Sequence, residues 1–231
     1  MVKRTLSKQR MIFAAVITAM IFFLGLALGV IIDLERLSTL QEDNTAQELN
    51  YNSLQLQYLY LNQLGEEENV CPVLQVALDN SIKELSTSLE AFERYSENTF
   101  LSNKRYQTLQ RKYLQDNLRY WMFSQQLQQR CDSDVVNILY FYSEDDCAVC
   151  ANQGTVLTYF KQKLDDKLLV FPINIDLAEE EQFLKIITTR YNITQLPTLV
   201  INEDIYSGVQ GRVQLAEIIC EKTSNRETCL L

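Results

Sequence analysis

The sequence predicts a C-terminal α/β domain on a mixed sheet, in the order β-α-β-α-β-β-α, behind a transmembrane helix and an extended all-α region. Three observations predict it. An uncharged apolar run of 22 residues lies at Met11–Ile32. From Asp33 to Arg130 the composition is helical, rich in Leu, Gln, Glu, Asn and Tyr, with one proline, Pro72, and one glycine, Gly65. From Asp134 onward, strand-length runs of β-branched and aromatic residues alternate with amphipathic stretches and close in a hairpin, the pattern of an α/β layer.

The apolar run comes first. At ~1.5 Å per residue it spans ~33 Å, enough for a hydrocarbon core of ~30 Å. Lys3, Arg4, Lys8 and Arg10 precede it, and Asp33 and Glu35 follow. The positive-inside rule then places residues 1–10 in the cytoplasm and everything after residue 32 outside it. A cleaved signal peptide is the alternative. Its apolar core would be shorter, ~7–15 residues, although Ala27 and Gly29 offer small residues for cleavage. No cysteine follows the run at once, so a lipoprotein anchor is not suggested. The expectation is a single-pass protein of the cell membrane with an extracytoplasmic C-terminal domain. All six cysteines then lie on an oxidising side, where disulfides persist.

Residues 33–131 read as a helical stalk or hairpin of three helices, at about 33–64, 72–97 and 102–129. The stretch LGEEENVCP breaks the first from the second, and Pro72 suits a first helical turn. The second and third are of similar length and joined by the short SENTFLSN, which favours antiparallel neighbours. Folded back, they bring Cys71 beside Cys131, and a bond between them would close the open end. The Tyr and Leu stripes read as core or helix–helix seam rather than as a ligand site. YLYLNQL, dense in apolar groups, leaves open a coiled-coil or homodimer seam in this region.

Residues 134–222 form the α/β domain, followed by a tail at 223–231. VVNILYFY is the first strand, at Val135–Tyr142. Helical spacing follows Cys147–Cys150 in ANQGTVLTYFKQKL. A second buried strand lies at Lys167–Asp176. LAEEEQFLKIITTRY reads as one amphipathic helix with acids leading, as the macrodipole favours. Pro197–Asn202 is a third strand, DIYSG turns into a fourth at the edge, and GRVQLAEIICEK is a closing helix.

Composition excludes several functions. The formal charge is −9, with no basic face to neutralise phosphates, so nucleic acid is not an expected partner. There is no histidine, which removes Ser–His–Asp and Cys–His catalysis and every His-containing zinc site. The six cysteines are Cys71, Cys131, Cys147, Cys150, Cys220 and Cys229. A Cys220–Cys229 clip across EKTSNRET is the economical pairing at the C-terminus. A four-thiolate zinc site from Cys147, Cys150, Cys220 and Cys229 is the alternative, but its second half-site is too widely spaced. No metal or cofactor is expected. Asn192-Ile-Thr194 matches a glycosylation acceptor. A glycan there would obstruct the loop before Pro197, so chance is the better reading.

Residues 134–222 resemble the thioredoxin superfamily. The resemblance rests on a buried strand leading into CxxC at a helix start (NILYFYSEDDCAVC), a strand–helix unit after it, and YNITQLPTLVI, which looks like the family's approach to its cis-proline. The resemblance implies that Cys147 is the exposed nucleophile and Cys150 the resolving thiol. It implies a cis peptide at Pro197, and a Leu196 backbone that pairs with a substrate chain as an added strand does. The implied activity is thiol–disulfide exchange on cysteines of exported or membrane proteins.

The departures define a rival. Asp146 stands where the family usually has tryptophan, and Phe141 where it often has a buried acid. The residues between the cysteines are Ala148 and Val149. Glu144, Asp145 and Asp146 crowd the site. Like charge disfavours a thiolate, a helix N-terminus favours it by ~0.3–1 kcal/mol, and the two effects are of similar size. The rival is a non-catalytic, thioredoxin-like interaction or structural protein whose CxxC is a static bond.

Overall fold

The computed structural model of the 231-residue chain describes residues 12–13, 15–30, 49, 52–53, 55–57, 59–60, 63, 70–96, 103–131 and 133–223. The chain divides into two compact units, Met1–Asn62 and Gln63–Leu231.

In the first unit, residues 15–30 are helical and exposed. This corrects the expected fold class and localisation. Among the described residues, no helix is long and apolar enough to cross a membrane. The transmembrane helix expected over 11–32 is therefore not seen, and a single-pass membrane protein with a cytoplasmic N-terminus is not supported. The coiled-coil or dimer seam expected at 58–64 falls largely outside the described residues, which there include only 59, 60 and 63.

The second unit opens with two helices, α1 (Val70–Ser96) and α2 (Asn103–Arg130). They are antiparallel. Cys71 at the start of α1 is bonded to Cys131 just after α2, with Cα atoms 5.7 Å apart. Toward the other end, Phe92 packs on Tyr106 and stacks on Tyr113, at centroid distances of 5.3 and 5.9 Å. Leu74, Ala77, Leu78, Ser81 and Ser88 line the buried face of α1 at spacings of three and four, with a longer step between the serines. Each serine hydroxyl donates to the carbonyl three residues back, so neither is an unsatisfied polar group.

The sheet follows: β1 (Val136–Tyr142), β2 (Leu168–Asn174), β3 (Thr198–Ile201) and β4 (Asp204–Ser207). The strand order is β2-β1-β3-β4. β1 and β2 are parallel, while β1–β3 and β3–β4 are antiparallel. The helices are α3 (Cys150–Leu164), α4 (Gln182–Arg190) and α5 (Arg212–Lys222). Side chains alternate along β1, so Leu139 and Phe141 enter one layer while Ile138 and Tyr140 enter the other.

The first layer is closed by Leu114, Leu118 and Trp121 of α2 and by Leu184 and Ile187 of α4. The second is closed by Leu157, Phe160 and Leu164 of α3 and by Leu215 and Ile219 of α5. Each fully buried side chain of this size contributes ~1.5–3 kcal/mol of transfer free energy. The second helix of the hairpin is therefore a wall of the α/β core. Asn117 lies on the same face of α2, and its side-chain N–H donates to the Pro172 carbonyl of edge strand β2 at 2.8 Å.

The single helix expected over LAEEEQFLKIITTRY is two elements. A 3-10 turn spans Ile175–Glu179, and α4 begins only at Gln182. Glu181 marks the break. Its backbone is extended, and its carboxylate turns inward to accept hydrogen bonds from Arg111 and Gln115 of α2. After α4, Asn192 takes φ 48 and is exposed. Asn tolerates that left-handed backbone better than most residues, a structural reason for an asparagine there.

Candidate functional site

Register brings the site together. Phe141 of β1 pairs with Thr198 of β3 in an antiparallel ladder. The chain leaving β1 toward the cysteines and the chain entering β3 from Leu196–Pro197 therefore share one end of the sheet. Leu196–Pro197 is a cis peptide. Cys147 and Leu196 both pack against the layer that holds Cys150. Cys147 and Cys150 are bonded, with Cα atoms 5.4 Å apart.

The loop carrying Cys147 is wound around one carboxylate. Ser143 Oγ donates to Asp176 at 2.6 Å, and the Glu144 N–H donates to the same carboxylate at 2.8 Å. Ser143 Oγ then accepts from the N–H groups of Asp145 and Asp146, at 3.1 and 2.8 Å. Asp176 is itself placed by its N–H, which donates to Asn174 Oδ1 at 2.9 Å. These bonds satisfy the backbone ahead of the cysteines while Glu144, Asp145 and Asp146 point into solvent. The acidic run is thus a solvated, pinned lead-in.

The two sulfurs sit in unequal surroundings. Cys147 is half-buried, ahead of the helix, and Cys150 is its first residue, 3% exposed. The Cys150 N–H donates to the Cys147 carbonyl at 3.3 Å. Behind Cys150 stands Tyr140, whose hydroxyl donates to the Cys150 carbonyl at 2.5 Å and whose ring stacks on Tyr142 at 5.2 Å. Burial pushes the Tyr140 phenol up to about 12. The Tyr142 phenol is raised as well, by burial first and then by Glu144 and its neighbours. On α2, Tyr106 is raised by burial and by Glu144, which sets the far end of the hairpin near the acidic lead-in.

Other residues from the sequence reading are accounted for as follows. Phe141 is fully buried and belongs to the layer under α2 and α4, whereas Cys150 belongs to the opposite layer. Cys220 lies on α5 and is disulfide-bonded. Cys229, and with it the expected Cys220–Cys229 clip, lies outside the described residues. Among the described residues, no group of three or more Cys, Asp or Glu is placed to hold a metal.

Two site residues were missed by sequence reasoning. Gln153 is fully buried on the face of α3 that carries Cys150, Leu157, Phe160 and Leu164. That helical spacing was readable from the chain and would have turned a glutamine inward. Gln210 meets it from the turn after β4, where its N–H donates to Gln153 Oε1 at 2.7 Å. Nothing in the sequence signals that pairing.

No protein-family model matches the chain, and no curated protein matches it. Among solved structures it is similar to a malarial protein, at 16% identity over 39% of this chain and 99% of the other, with a TM-score of 0.32. It is similar to thioredoxin-2 of a malaria parasite, a component of protein secretion machinery, at 17% identity over 38% and 82%, TM-score 0.32. It is also similar to chloroplastic thioredoxin z, at 23% identity over 42% and 87%, TM-score 0.33. The C-terminal domain is thioredoxin-like on its own features: the β2-β1-β3-β4 order, a CxxC at a helix start and a cis Leu196–Pro197 at the same sheet end.

Proposed function

We propose that this protein is a thiol–disulfide oxidoreductase acting on cysteine-containing proteins through Cys147 and Cys150. The observation that carries the reading is the asymmetry of the pair. Cys147 is half-buried, its partner is 3% exposed at the head of α3, and the cis Leu196–Pro197 segment adjoins them. Exchange needs that asymmetry, because an exposed sulfur must meet the substrate while a sheltered one waits to resolve it.

In the oxidised form, a substrate thiolate attacks Cys147 Sγ. A mixed disulfide forms, the Cys147–Cys150 bond breaks, and Cys150 leaves as a thiolate. A second substrate thiolate attacks the substrate sulfur of the mixed disulfide and releases Cys147. The substrate ends with one disulfide, having given up two electrons and two protons, and the enzyme ends as a dithiol. The reverse sequence reduces a substrate disulfide. The N–H groups at the start of α3 have no side-chain cap, and their positive end favours the thiolate.

Substrate backbone would pair beside the sulfurs with Leu196, whose N–H and C=O make no backbone hydrogen bond among the described residues. Val149 and Val209, 44% and 45% exposed, offer it apolar contact.

The test is trapping. With Cys150→Ser, the Cys147 thiolate attacks a peptide disulfide and displaces one peptide thiolate, and the mixed disulfide left on Cys147 cannot be resolved, so half of a disulfide-bonded peptide should accumulate on the protein and be seen by intact mass. Cys147→Ser should give no adduct under the same conditions. Absence of an adduct in Cys150→Ser, together with a wild-type pair that resists reduction, would support the static bond instead. The buried Phe141 in place of an acid is the observation favouring that second reading.

A further inference from the structure

Among the described residues Gln153 is the one buried glutamine, and its two ends are treated differently. Its side chain is fully buried. Its Oε1 accepts from the Gln210 N–H at 2.7 Å, which fixes which way the carboxamide points. Its Nε2 has no hydrogen-bond partner among the described residues. A buried donor left unpaired is costly, and such groups call for an explanation in the protein's working cycle. The surrounding layer is apolar: Leu157, Phe160, Leu199 and Leu215, with the Cys150 sulfur one turn ahead on the same helix face. In a disulfide that sulfur is a weak acceptor. When the disulfide opens it becomes a strong one, and among the described residues the buried acids are Asp116 on α2 and Glu181 ahead of α4, helices that close the opposite layer.

The glutamine also joins the two halves of the site. Gln210 Nε2 donates to the carbonyls of Ser207 and Gly208, at 3.3 and 3.2 Å. The Gly208 N–H donates to the Pro197 carbonyl at 2.8 Å. A continuous chain of bonds thus runs from α3 through Gln153 and the 207–210 turn to the cis-proline. Gly208 sits at φ 79, a backbone that suits glycine and lets the turn close onto Pro197.

We propose that Gln153 is a positioning residue of the redox centre, holding α3 against the Pro197 loop and presenting its free N–H to the Cys150 sulfur when the disulfide opens. This rests on the exchange activity proposed above. The reduced state gains a hydrogen bond that the oxidised state lacks, so the side chain raises the reduction potential of the pair.

The test is redox titration of the full chain in glutathione buffers, comparing wild type with Gln153→Leu and Gln153→Glu. Gln153→Leu should shift the exchange equilibrium about tenfold toward the disulfide, a potential about 30 mV more negative. Gln153→Glu keeps an oxygen for the Gln210 N–H but replaces the free donor by an acceptor, so it should shift the same way. A potential unchanged in both variants overturns the inference and leaves a packing role, while the exchange reading survives. A wild-type pair that does not titrate overturns both. Should the variants fail to fold, wild type alone decides. The Gln153 side-chain 15N resonance should move on reduction in the intact chain, and an unmoved resonance overturns the inference.

Discussion

Tyr140 works at two places in the site: its ring lies in the layer with Leu199 and Leu215, while its hydroxyl reaches the Cys150 carbonyl. A phenolate there would lose both its hydration and its role as donor, so the neutral form is held. Burial pushes Tyr140 up to about 12, and it does the same, first among the causes, to Tyr120 and Tyr191. The consequence for stability has a definite sign. These phenols are raised above their unfolded value of about 10, so the native state holds protons that the unfolded chain has released. Their contribution is complete below about pH 10 and is lost as pH rises through about 12. Stability to urea should therefore fall across that window, with no comparable tyrosine contribution between pH 7 and 9. Phenolate absorbance near 295 nm checks it: these three side chains should ionise after the exposed tyrosines, or together with unfolding. Ionisation of all twelve tyrosines near pH 10 in a folded chain would contradict the packing.

The junction between the helical hairpin and the sheet depends on α2 more than on any other element. Leu114, Leu118 and Trp121 enter the core, and the carboxylate of Glu181 is clamped by Arg111 at 2.8 Å and Gln115 at 3.1 Å. The clamp also ends the 3-10 turn and starts α4. Arg111 is substantially exposed, so solvent screening discounts the ion pair. Arg111→Ala should cost about 1 kcal/mol in urea unfolding at an unchanged slope. A double-mutant cycle with Glu181→Ala should return a coupling of similar size, and a coupling near zero would mean that packing alone holds the junction. This region also shows what the chain alone discloses. The α1–α2 hairpin and the strand–helix alternation were legible because periods of 3.6 and 2 are local signals. The partner of α2 was not, since a stripe such as Leu114, Leu118 and Trp121 suits a coiled seam as well as a sheet. The split at Glu181 was hidden because its cause, Arg111, lies 70 residues away. The apolar run at 11–32 misled for the opposite reason. Composition reports how apolar a segment is, whereas among the described residues no helix is long and apolar enough to cross a membrane.

At the scale of the whole molecule, Cys71–Cys131 and Cys147–Cys150 divide the work by the size of the loop each closes. Cys147–Cys150 has a sequence separation of 3, so it restrains the unfolded chain very little. Cys71–Cys131 has a separation of 60, and in the chain-entropy model closing such a loop stabilises the fold by about 4 kcal/mol. That is an upper value, because a helical hairpin keeps some order when unfolded and so has less entropy to lose. The bond lies at the end of α1 and α2 away from Phe92, Tyr106 and Tyr113, the side from which the hairpin approaches Glu144. Stability and exchange should therefore separate. Cys71→Ser/Cys131→Ser should unfold at lower urea, by up to about 4 kcal/mol, with the buried stripe of Leu74, Leu78, Leu114 and Leu118 still holding the hairpin at low denaturant. The same variant should keep the wild-type potential of Cys147–Cys150 and form the same trapped adduct once Cys150 is changed to serine. Cys147→Ser/Cys150→Ser should do the reverse, losing exchange with little change in urea midpoint. If removing Cys71–Cys131 also moved the potential of the other pair, the hairpin would have to be counted as part of the redox site, transmitting strain from one end of α2 to the loop at Glu144.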